Sequence, residues 1–263
     1  MGEEDQPKLF SNRWADAVGP GGDEPARDRC QCLDRRGEHS GKTVGFHPDR
    51  QDTSAPGWLR LLELIDEAAA DGREVFKPLV ELSPAERRQV VTLPRAVAKL
   101  TAVKHFVLYG SNLVRIPPEI GAMTSLEEFS PYTSHRLHWF PYEITRCREL
   151  RRSTVSTRAL YGNFKYRPPF PPLRQADEWD PGVAEPRRWG AEAIRSCSVC
   201  DGPLEDGRLR QVWISRVVAA DVLPLLVNAC SAECVGALPA PAEGYVSVPH
   251  HGGPDVVQPS TRF

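Results

Sequence analysis

The chain lacks an excess of charge of either sign and lacks any long apolar run. Its 263 residues include 33 Lys and Arg against 35 Asp and Glu, so the net charge is −2. A chain this close to neutral has no overall attraction to nucleic acid or to an anionic membrane. No apolar run approaches the length that crosses a bilayer, and the acidic opening MGEEDQPKLF lacks the basic and then apolar order of a signal peptide. The sequence therefore predicts a cytoplasmic protein without a membrane segment.

Motifs of common catalytic chemistry are lacking too. The sequence contains no Ser, His and Asp arrangement, no paired-carboxylate motif and no cofactor-binding loop. The segment from Gly37 to Thr43 resembles a phosphate-binding loop, but three residues separate its glycines where such a loop needs four. We therefore expect no enzymatic activity.

The N-terminal 56 residues contain two of the seven cysteines. Seven is an odd number, which argues against a complete disulfide framework and favours reduced thiols or a metal site. Residues 1–56 are rich in Gly, Pro, Asp and Arg without a sustained apolar period, which predicts a mostly disordered tail. Within the tail, Cys30, Cys32, His39 and His47 are residue types that bind zinc. Their C-x-C spacing favours a chance cluster, and the sequence leaves open whether they bind a metal.

A helix is predicted directly after this tail. Trp58, Leu61, Leu62, Ile65 and Ala69 recur at helical spacing, and a glycine at position 72 is a suitable end. Between residues 77 and 99 the pattern is less regular, and the order Ser-Pro-Ala-Glu at 83–86 resembles a helix capping box.

A repeat of 23 to 24 residues follows, between Leu100 and Leu173. One aligned column contains Val103, Leu126 and Leu150, and a second contains Phe106, Phe129 and Ser153. The period is also seen in three apolar-proline pairs, which are Leu93-Pro94, Ile116-Pro117 and Phe140-Pro141. A fixed period of this length indicates stacked structural units, since one unit cannot bury its own apolar face.

Each unit contains a short segment in which apolar and more polar positions alternate. Phe106 and Leu108 point to one side of an extended chain, and the residues between and beside them point to the other. The first side is expected to fill a core and the second to face outward. The outward positions of the three units are His105, Val107, Tyr109, Glu128, Ser130, Tyr132, Arg152, Thr154 and Ser156.

This unit resembles the leucine-rich repeat family, in particular its bacterial type, whose unit reads L-x-x-L-x-L-x-x-N-x-L-x-x-I-P-x-x-I-x-x-L. The chain departs from it at Ser111, which takes the asparagine position, and at Pro131, which replaces the third strand leucine. The resemblance implies a solenoid whose first coil is covered by the upstream helix. It also implies that the outward strand positions form a concave face that binds a protein partner.

Residues 146–174 are basic and contain interleaved aromatic residues. The basic residues are Arg146, Arg148, Arg151, Arg152, Arg158, Lys165, Arg167 and Arg174. Such a mixture is one way to bind nucleic acid, because arginine contacts phosphate and aromatic rings stack on bases. The ending RPPFPPL favours a different interpretation, a polyproline segment that closes the solenoid.

A second motif lies in the C-terminal third, after a segment at 174–190 whose composition predicts a linker. The pairs Cys197-x2-Cys200 and Cys230-x3-Cys234 flank a predicted hairpin, and the second pair spans one helical turn. This arrangement is similar to the treble-clef zinc fold. It predicts a structural zinc bound by the four cysteines, with no open position for a catalytic water.

The sequence therefore predicts an α/β fold in which a helix-capped solenoid is joined to a small zinc-bound hairpin and helix. Its predicted regions are a tail at 1–56, helix and repeats at 57–173, a linker at 174–190, the zinc module at 191–240 and a flexible tail at 241–263. The predicted function is non-enzymatic binding of an unidentified protein. The alternative is nucleic-acid binding by the basic segment and the zinc module, which the balanced charge of that module disfavours.

Overall fold

The computed structural model describes residues 47, 49–155, 161, 169–173, 194–204 and 209–259. The predicted linker at 174–190, nearly all of the predicted N-terminal tail and Ser156 lie outside the described residues. The α-helices are α1 (Pro56–Asp71), α2 (Pro78–Glu81), α3 (Pro84–Gln89) and α4 (Ala232–Gly236). The strands are β1 (Val75–Phe76), β2 (His105–Val107), β3 (Glu128–Ser130), β4 (Phe140–Pro141), β5 (Arg152–Ser153), β6 (Arg210–Val218) and β7 (Asp221–Ala229). Three 3-10 helices are named η1 (Arg95–Lys99), η2 (Pro118–Ala122) and η3 (Tyr142–Arg146).

Helix α1 forms where the apolar spacing predicts it. Pro56 occupies its first turn, where a missing N–H costs nothing, and Gly72 ends it in the left-handed conformation at φ 65°. Leu64 and Ala68 belong to its buried stripe, whereas Leu62 and Ala69, which the sequence places there, are only half-buried. The buried stripe is rotated about the helix axis relative to the predicted one, because α1 packs on α3 as well as on η1.

The predicted capping box of α3 is confirmed. The Glu86 N–H donates to the Ser83 hydroxyl at 3.3 Å, and the Ser83 N–H donates to the Glu86 carboxylate at 2.8 Å. The two side chains therefore satisfy two backbone donors that a helix start leaves without partners. This local order places α3 against the start of α1, where an added methyl at Gly57 would lie 2.3 Å from the Glu86 carbonyl oxygen.

Strands β1, β2, β3 and β5 form a parallel sheet in that order. Its register pairs Phe76 with Phe106, Phe106 with Phe129, and Phe129 with Ser153, so each step along the sheet is one unit of the sequence. The three phenylalanines are fully buried, with ring centroids 5.7 and 5.9 Å apart. Phe106 and Phe129 of the predicted inward column are therefore internal, and Ser153 of the same column is half-buried.

The 3-10 helices stack on one another behind this sheet. Each is preceded by a proline, which are Pro94, Pro117 and Pro141. Each also places one buried aliphatic residue in the core, namely Val97, Ile120 and Ile144. Because proline lacks an N–H, it ends strand pairing and turns the chain into the 3-10 helix.

A buried pair of serines joins equivalent positions of two units. The Ser134 hydroxyl donates to the Leu108 carbonyl at 3.2 Å, so it accepts the hydrogen bond from the Ser111 hydroxyl at 2.6 Å. Neighbouring units also share a bond from the Arg136 guanidinium to the Asn112 side-chain oxygen at 3.2 Å. Polar groups at the turn after each strand are thus satisfied by the next unit.

A second sheet, in the order β4-β7-β6, contains the predicted hairpin. β6 and β7 are antiparallel, and β7 also pairs in parallel with β4, with Phe140 opposite Leu225. Phe140, Leu225 and Val227 belong to the same buried cluster as the repeat core. The hairpin therefore extends the core of the repeats.

A smaller aromatic cluster lies on the other side of the hairpin. Trp213 is fully buried there, and its indole N–H donates to the Pro171 carbonyl at 2.9 Å. Trp139, Tyr161 and Phe170 surround it. The described part of the RPPFPPL segment thus contacts the hairpin.

Part of the segment from residue 241, which the sequence predicts to be flexible, contacts the hairpin. Trp213 and His250 exchange backbone hydrogen bonds at 2.7 and 3.0 Å, and the Ala242 N–H donates to the Ser215 carbonyl at 2.8 Å. Val246 is buried against the aromatic cluster. β6 is an outer strand of the described sheet, and its backbone groups take partners from this segment.

Within the part of the chain that the structure describes, none of the helices has the length and apolarity needed to cross a bilayer.

Candidate metal centre and strand face

The structure brings the four predicted cysteines together. One sulfur from each of Cys197, Cys200, Cys230 and Cys234 lies within 4.8 Å of the others. The Sγ atoms of Cys200 and Cys230 are 3.6 Å apart, and those of Cys230 and Cys234 are 3.5 Å apart. Tetrahedral zinc with bonds of about 2.3 Å separates its sulfurs by about 3.8 Å. The donor set and spacing therefore fit a tetrahedral metal ion such as zinc.

The first cysteine pair is held in a tight turn. The Asp201 N–H donates to the Cys197 carbonyl at 3.1 Å, and the Cys197 N–H donates to the Gly202 carbonyl at 2.8 Å. Asp201 has φ 60°, a left-handed conformation that aspartate tolerates better than most residues. An added methyl at Gly202 would lie 3.3 Å from the Cys200 sulfur, so a small residue suits that place.

The second cysteine pair follows the end of β7. Cys230 is the first residue after the strand, and Ser231 is the N-cap of α4. The Cys234 N–H donates to the Ser231 hydroxyl at 3.2 Å. This cap fixes the first turn of α4, so Cys230 and Cys234 face the same point.

The electrostatics of the cluster favour a cation. Burial by itself would raise the pKa of Cys197, but N–H groups, including those of Val199 and Cys230 at 3.4 Å, lower it to about 7. Hydrogen bonds with the thiols of Cys234 and Cys200 raise the pKa of Cys230 to about 12. Four sulfurs this close cannot all ionise without a compensating charge, which a divalent ion would supply.

Other cysteines and histidines are arranged differently. Cys147 is buried, its thiol donates to the Ile120 carbonyl at 3.3 Å, and burial raises its pKa to about 12. The His47 and His138 rings are stacked, with their Nε2 atoms 2.8 Å apart. Cys30, Cys32 and His39 lie outside the described residues. Among the residues that are described, the four-cysteine cluster is the single group with metal-binding geometry.

The outward strand positions form two rows across the sheet. In the first row, His105 Nδ1 lies 3.3 Å from the Glu128 carboxylate, which is also 3.5 Å from the Arg152 guanidinium. The Ser130 hydroxyl donates to the other Glu128 oxygen at 3.2 Å. Glu128 is therefore well compensated, while the Arg152 side chain remains 70% exposed.

The second row is aromatic. The rings of Tyr109 and Tyr132 lie side by side with centroids 5.7 Å apart, and Tyr132 is 45% exposed. Between the rows, Val107 is opposite Ser130, and the Thr154 N–H donates to the Phe129 carbonyl at 3.0 Å. Eight of the nine predicted positions are thus neighbours on one sheet face, and the ninth, Ser156, is not described.

Sequence analysis missed one member of this face. Val75 on β1 is opposite His105 and is 45% exposed. The repeat period does not identify it, because α2 and α3 lie between β1 and the next strand and lengthen that unit. Val75 and Phe76 are both apolar, so the local sequence does not show that Val75 is exposed and Phe76 buried.

Searches against models of known protein families and against curated proteins found no match for this chain. Neither comparison supports the resemblance to leucine-rich repeats.

Proposed function

We propose that the chain is a short solenoid of the leucine-rich repeat type, which binds another protein through the outward face of β1, β2, β3 and β5. We define this strand face as Val75, His105, Val107, Tyr109, Glu128, Ser130, Tyr132, Arg152 and Thr154. The proposal depends on the strand register, which places equivalent residues of successive units side by side in rows.

Three features support the solenoid interpretation. The parallel register advances by one unit at each step, the prolines turn each unit into a 3-10 helix, and these helices stack. The Ser111 and Ser134 pair links the position at which the family has its asparagine. The serine pair would replace the family's asparagine ladder, which links the turns of successive coils by hydrogen bonds.

The composition of the strand face supports a protein partner. Tyrosine and arginine are the residues that most often dominate the energy of protein interfaces, because both bury large areas and keep polar ends. The Tyr109 and Tyr132 pair offers an aromatic surface, and Arg152 offers a cation at the other row. We expect a partner segment that presents an apolar or aromatic side chain to the tyrosine pair and a carboxylate to Arg152.

The four cysteines are proposed to bind zinc structurally. Four thiolate ligands leave no coordination position for water or substrate, so the ion would stabilise the fold without catalysing a reaction. No catalytic residue is proposed.

Two arginines in the described part of the basic segment are paired with carboxylates, which weakens the nucleic-acid alternative. Arg146 forms an ion pair with Asp201, and Arg151 pairs with Glu149. Both arginines therefore have carboxylate partners, which reduces the positive charge they offer to phosphate.

The proposal is tested by affinity capture from the native host's lysate, with nuclease-treated and untreated samples. The intact protein is compared with the triple variant Tyr109→Ala, Glu128→Arg, Arg152→Glu and with Glu243→Arg, an exposed charge change far along the chain. We expect a discrete protein to be captured by the intact chain and by Glu243→Arg but lost from the triple variant. Equal capture of nucleic acid by all three would overturn the proposal.

A further inference from the structure

We infer that the metal-bearing hairpin is the C-terminal cap of the repeats, so that metal binding at the four cysteines orders the last strand of the strand face. The inference rests on the proposed metal site and solenoid, but it needs no partner. It assigns the cysteine cluster a role in the interaction surface, beyond local stabilisation of its own loop.

The first step is that a stacked array must cover its last apolar side. Ile144 and Leu150 belong to the last unit, and both are buried. They share one cluster with Leu225 and Val227 of β7. Parallel pairing of β4 with β7 fixes this contact through the backbone. The hairpin therefore occupies the place that a further repeat would otherwise take.

The second step is the contact at the turn end of the hairpin. The Ser153 hydroxyl lies 2.6 Å from the Asp221 carboxylate and 3.3 Å from the Val218 carbonyl. Ser153 directly follows Arg152, the exposed cation of the strand face. Strand β5 has two residues and, among the described strands, pairs with β3, and the Ser153 contact joins β5 to the hairpin.

The third step is the contact at the cysteine end. The Arg146 guanidinium, on η3 of the last unit, donates to the Ser198 carbonyl at 3.0 Å and pairs with Asp201 at 2.6 Å. The Ser198 hydroxyl also bonds the buried Glu143 carboxylate. Both Ser198 and Asp201 belong to the turn that holds Cys197 and Cys200.

The last unit therefore contacts both ends of the hairpin, through Ser153 at the turn end and through Arg146 at the cysteine end. β7 runs from Asp221, which contacts Ser153 of β5, to Ala229, which precedes Cys230. Metal binding to four thiolates supplies folding free energy to the segments that carry them. Loss of the metal would release the turn from η3 and weaken the hairpin, and with it the support of β5.

Hydrogen exchange with mass spectrometry tests the inference on the full chain, loaded with one equivalent of Zn²⁺ or stripped with a chelator. We expect stripping to accelerate exchange by about tenfold or more in residues 147–155 and in β6 and β7. Exchange in α1 should change much less, because α1 packs at the other end of the repeats.

Two variants test the inference even if the metal-free protein unfolds. Cys200→Ser removes one ligand, and Asp221→Ala removes the contact to Ser153 while leaving all four cysteines. We expect Asp221→Ala to bind Co²⁺ with an unchanged thiolate absorption spectrum and yet to exchange faster at 150–155.

Faster exchange confined to 194–204 and 230–236, with 147–155 unchanged, would overturn the inference and leave the partner-binding proposal standing. A chain that binds no Zn²⁺ would overturn it together with the metal site. Loss of partner capture by zinc-loaded protein with normal exchange would instead contradict the proposed function alone.

Discussion

Arg146 forms an ion pair with Asp201 at 2.6 Å, and this pair joins the last 3-10 helix of the repeats to the turn of the first cysteine pair. Arg146 also donates to the Ser198 carbonyl. One side chain of η3 therefore joins the core of the repeats to the turn of the first cysteine pair, two parts of the chain that the sequence patterns assign to separate regions.

This contact predicts a modest and specific loss of stability. Arg146→Leu should lower the free energy of unfolding by about 1 kcal/mol, since a half-exposed ion pair and one hydrogen bond are removed. Asp201→Asn should cost less, because asparagine keeps the left-handed conformation and only the ion pair is lost. Urea unfolding of both single variants and the double variant measures the coupling. A coupling of zero would contradict the contact.

The hairpin turn predicts a stabilising substitution. Ala219 has φ 52°, which is unfavourable for a residue with a Cβ, and only two residues separate β6 from β7. Ala219→Gly should raise the free energy of unfolding by about 0.5–1 kcal/mol. Ala220→Gly, at a position without positive φ, should lower it or leave it unchanged. Thermal unfolding measures both variants, and equal changes in their Tm would contradict this prediction.

The buried serine pair predicts non-additive losses. Ser134→Ala removes the acceptor of the Ser111 hydroxyl and should cost about 1–3 kcal/mol, because a buried donor is left without its bond. Adding Ser111→Ala should then cost less than it does alone. Ser247→Ala, at an exposed position, is the control and should change stability by less than about 0.5 kcal/mol. Additive losses in the double variant would show that the two hydroxyls are independent.

Glu143 predicts a pH dependence. Burial raises its pKa above the ordinary 4.5, and one carboxylate oxygen has no hydrogen-bond partner among the described residues. A raised folded pKa means that the native state binds the proton more tightly, so the wild-type chain loses stability as pH rises from 4.5 through the folded value. Glu143→Gln, which stays neutral, should not share this loss.

The comparison is made by denaturant unfolding from pH 4.5 to pH 8 with zinc present. The stability of Glu143→Gln relative to the wild type should increase with pH and then level off above the folded pKa. Protonation of the cysteine ligands affects both chains alike, so it cancels in the difference. A difference that does not vary with pH would contradict a buried, ionising Glu143.

Metal content gives a further prediction. The intact chain should hold one zinc in the four-cysteine cluster, and Cys200→Ser should lose most of its affinity. Cys147→Ser should retain the metal, since Cys147 bonds a carbonyl in the repeat core. Metal analysis after dialysis measures both. Zinc that persists in Cys200→Ser and disappears when Cys30 and Cys32 are replaced would assign the metal to the N-terminal segment instead.

The sequence was sufficient for features that depend on local spacing. The column of Val103, Leu126 and Leu150 is buried, the hairpin strands form where β-branched residues concentrate, and the cysteine pairs converge. In each case the side chains that meet are neighbours within one element or at a fixed period, so pattern alone places them.

Features that depend on distant segments could not be predicted in this way. The pairing of Phe140 with Leu225 joins residues far apart in the chain, and nothing local at either residue identifies the other. The backbone bonds of Trp213 with His250 likewise arise because an outer strand needs a partner. The shared core of the repeats and the hairpin therefore depends on contacts that no local pattern predicts.

Site-specific photo-crosslinking tests whether the strand face binds a protein. A photoreactive amino acid replaces Val107, between the two rows of the strand face, or Glu243, an exposed residue outside it. In the zinc-loaded protein exposed to the native host's lysate, we predict one discrete crosslinked protein from position 107, absent from position 243 and competed by the unmodified chain. Equal products from both positions, or none from position 107, would contradict the account.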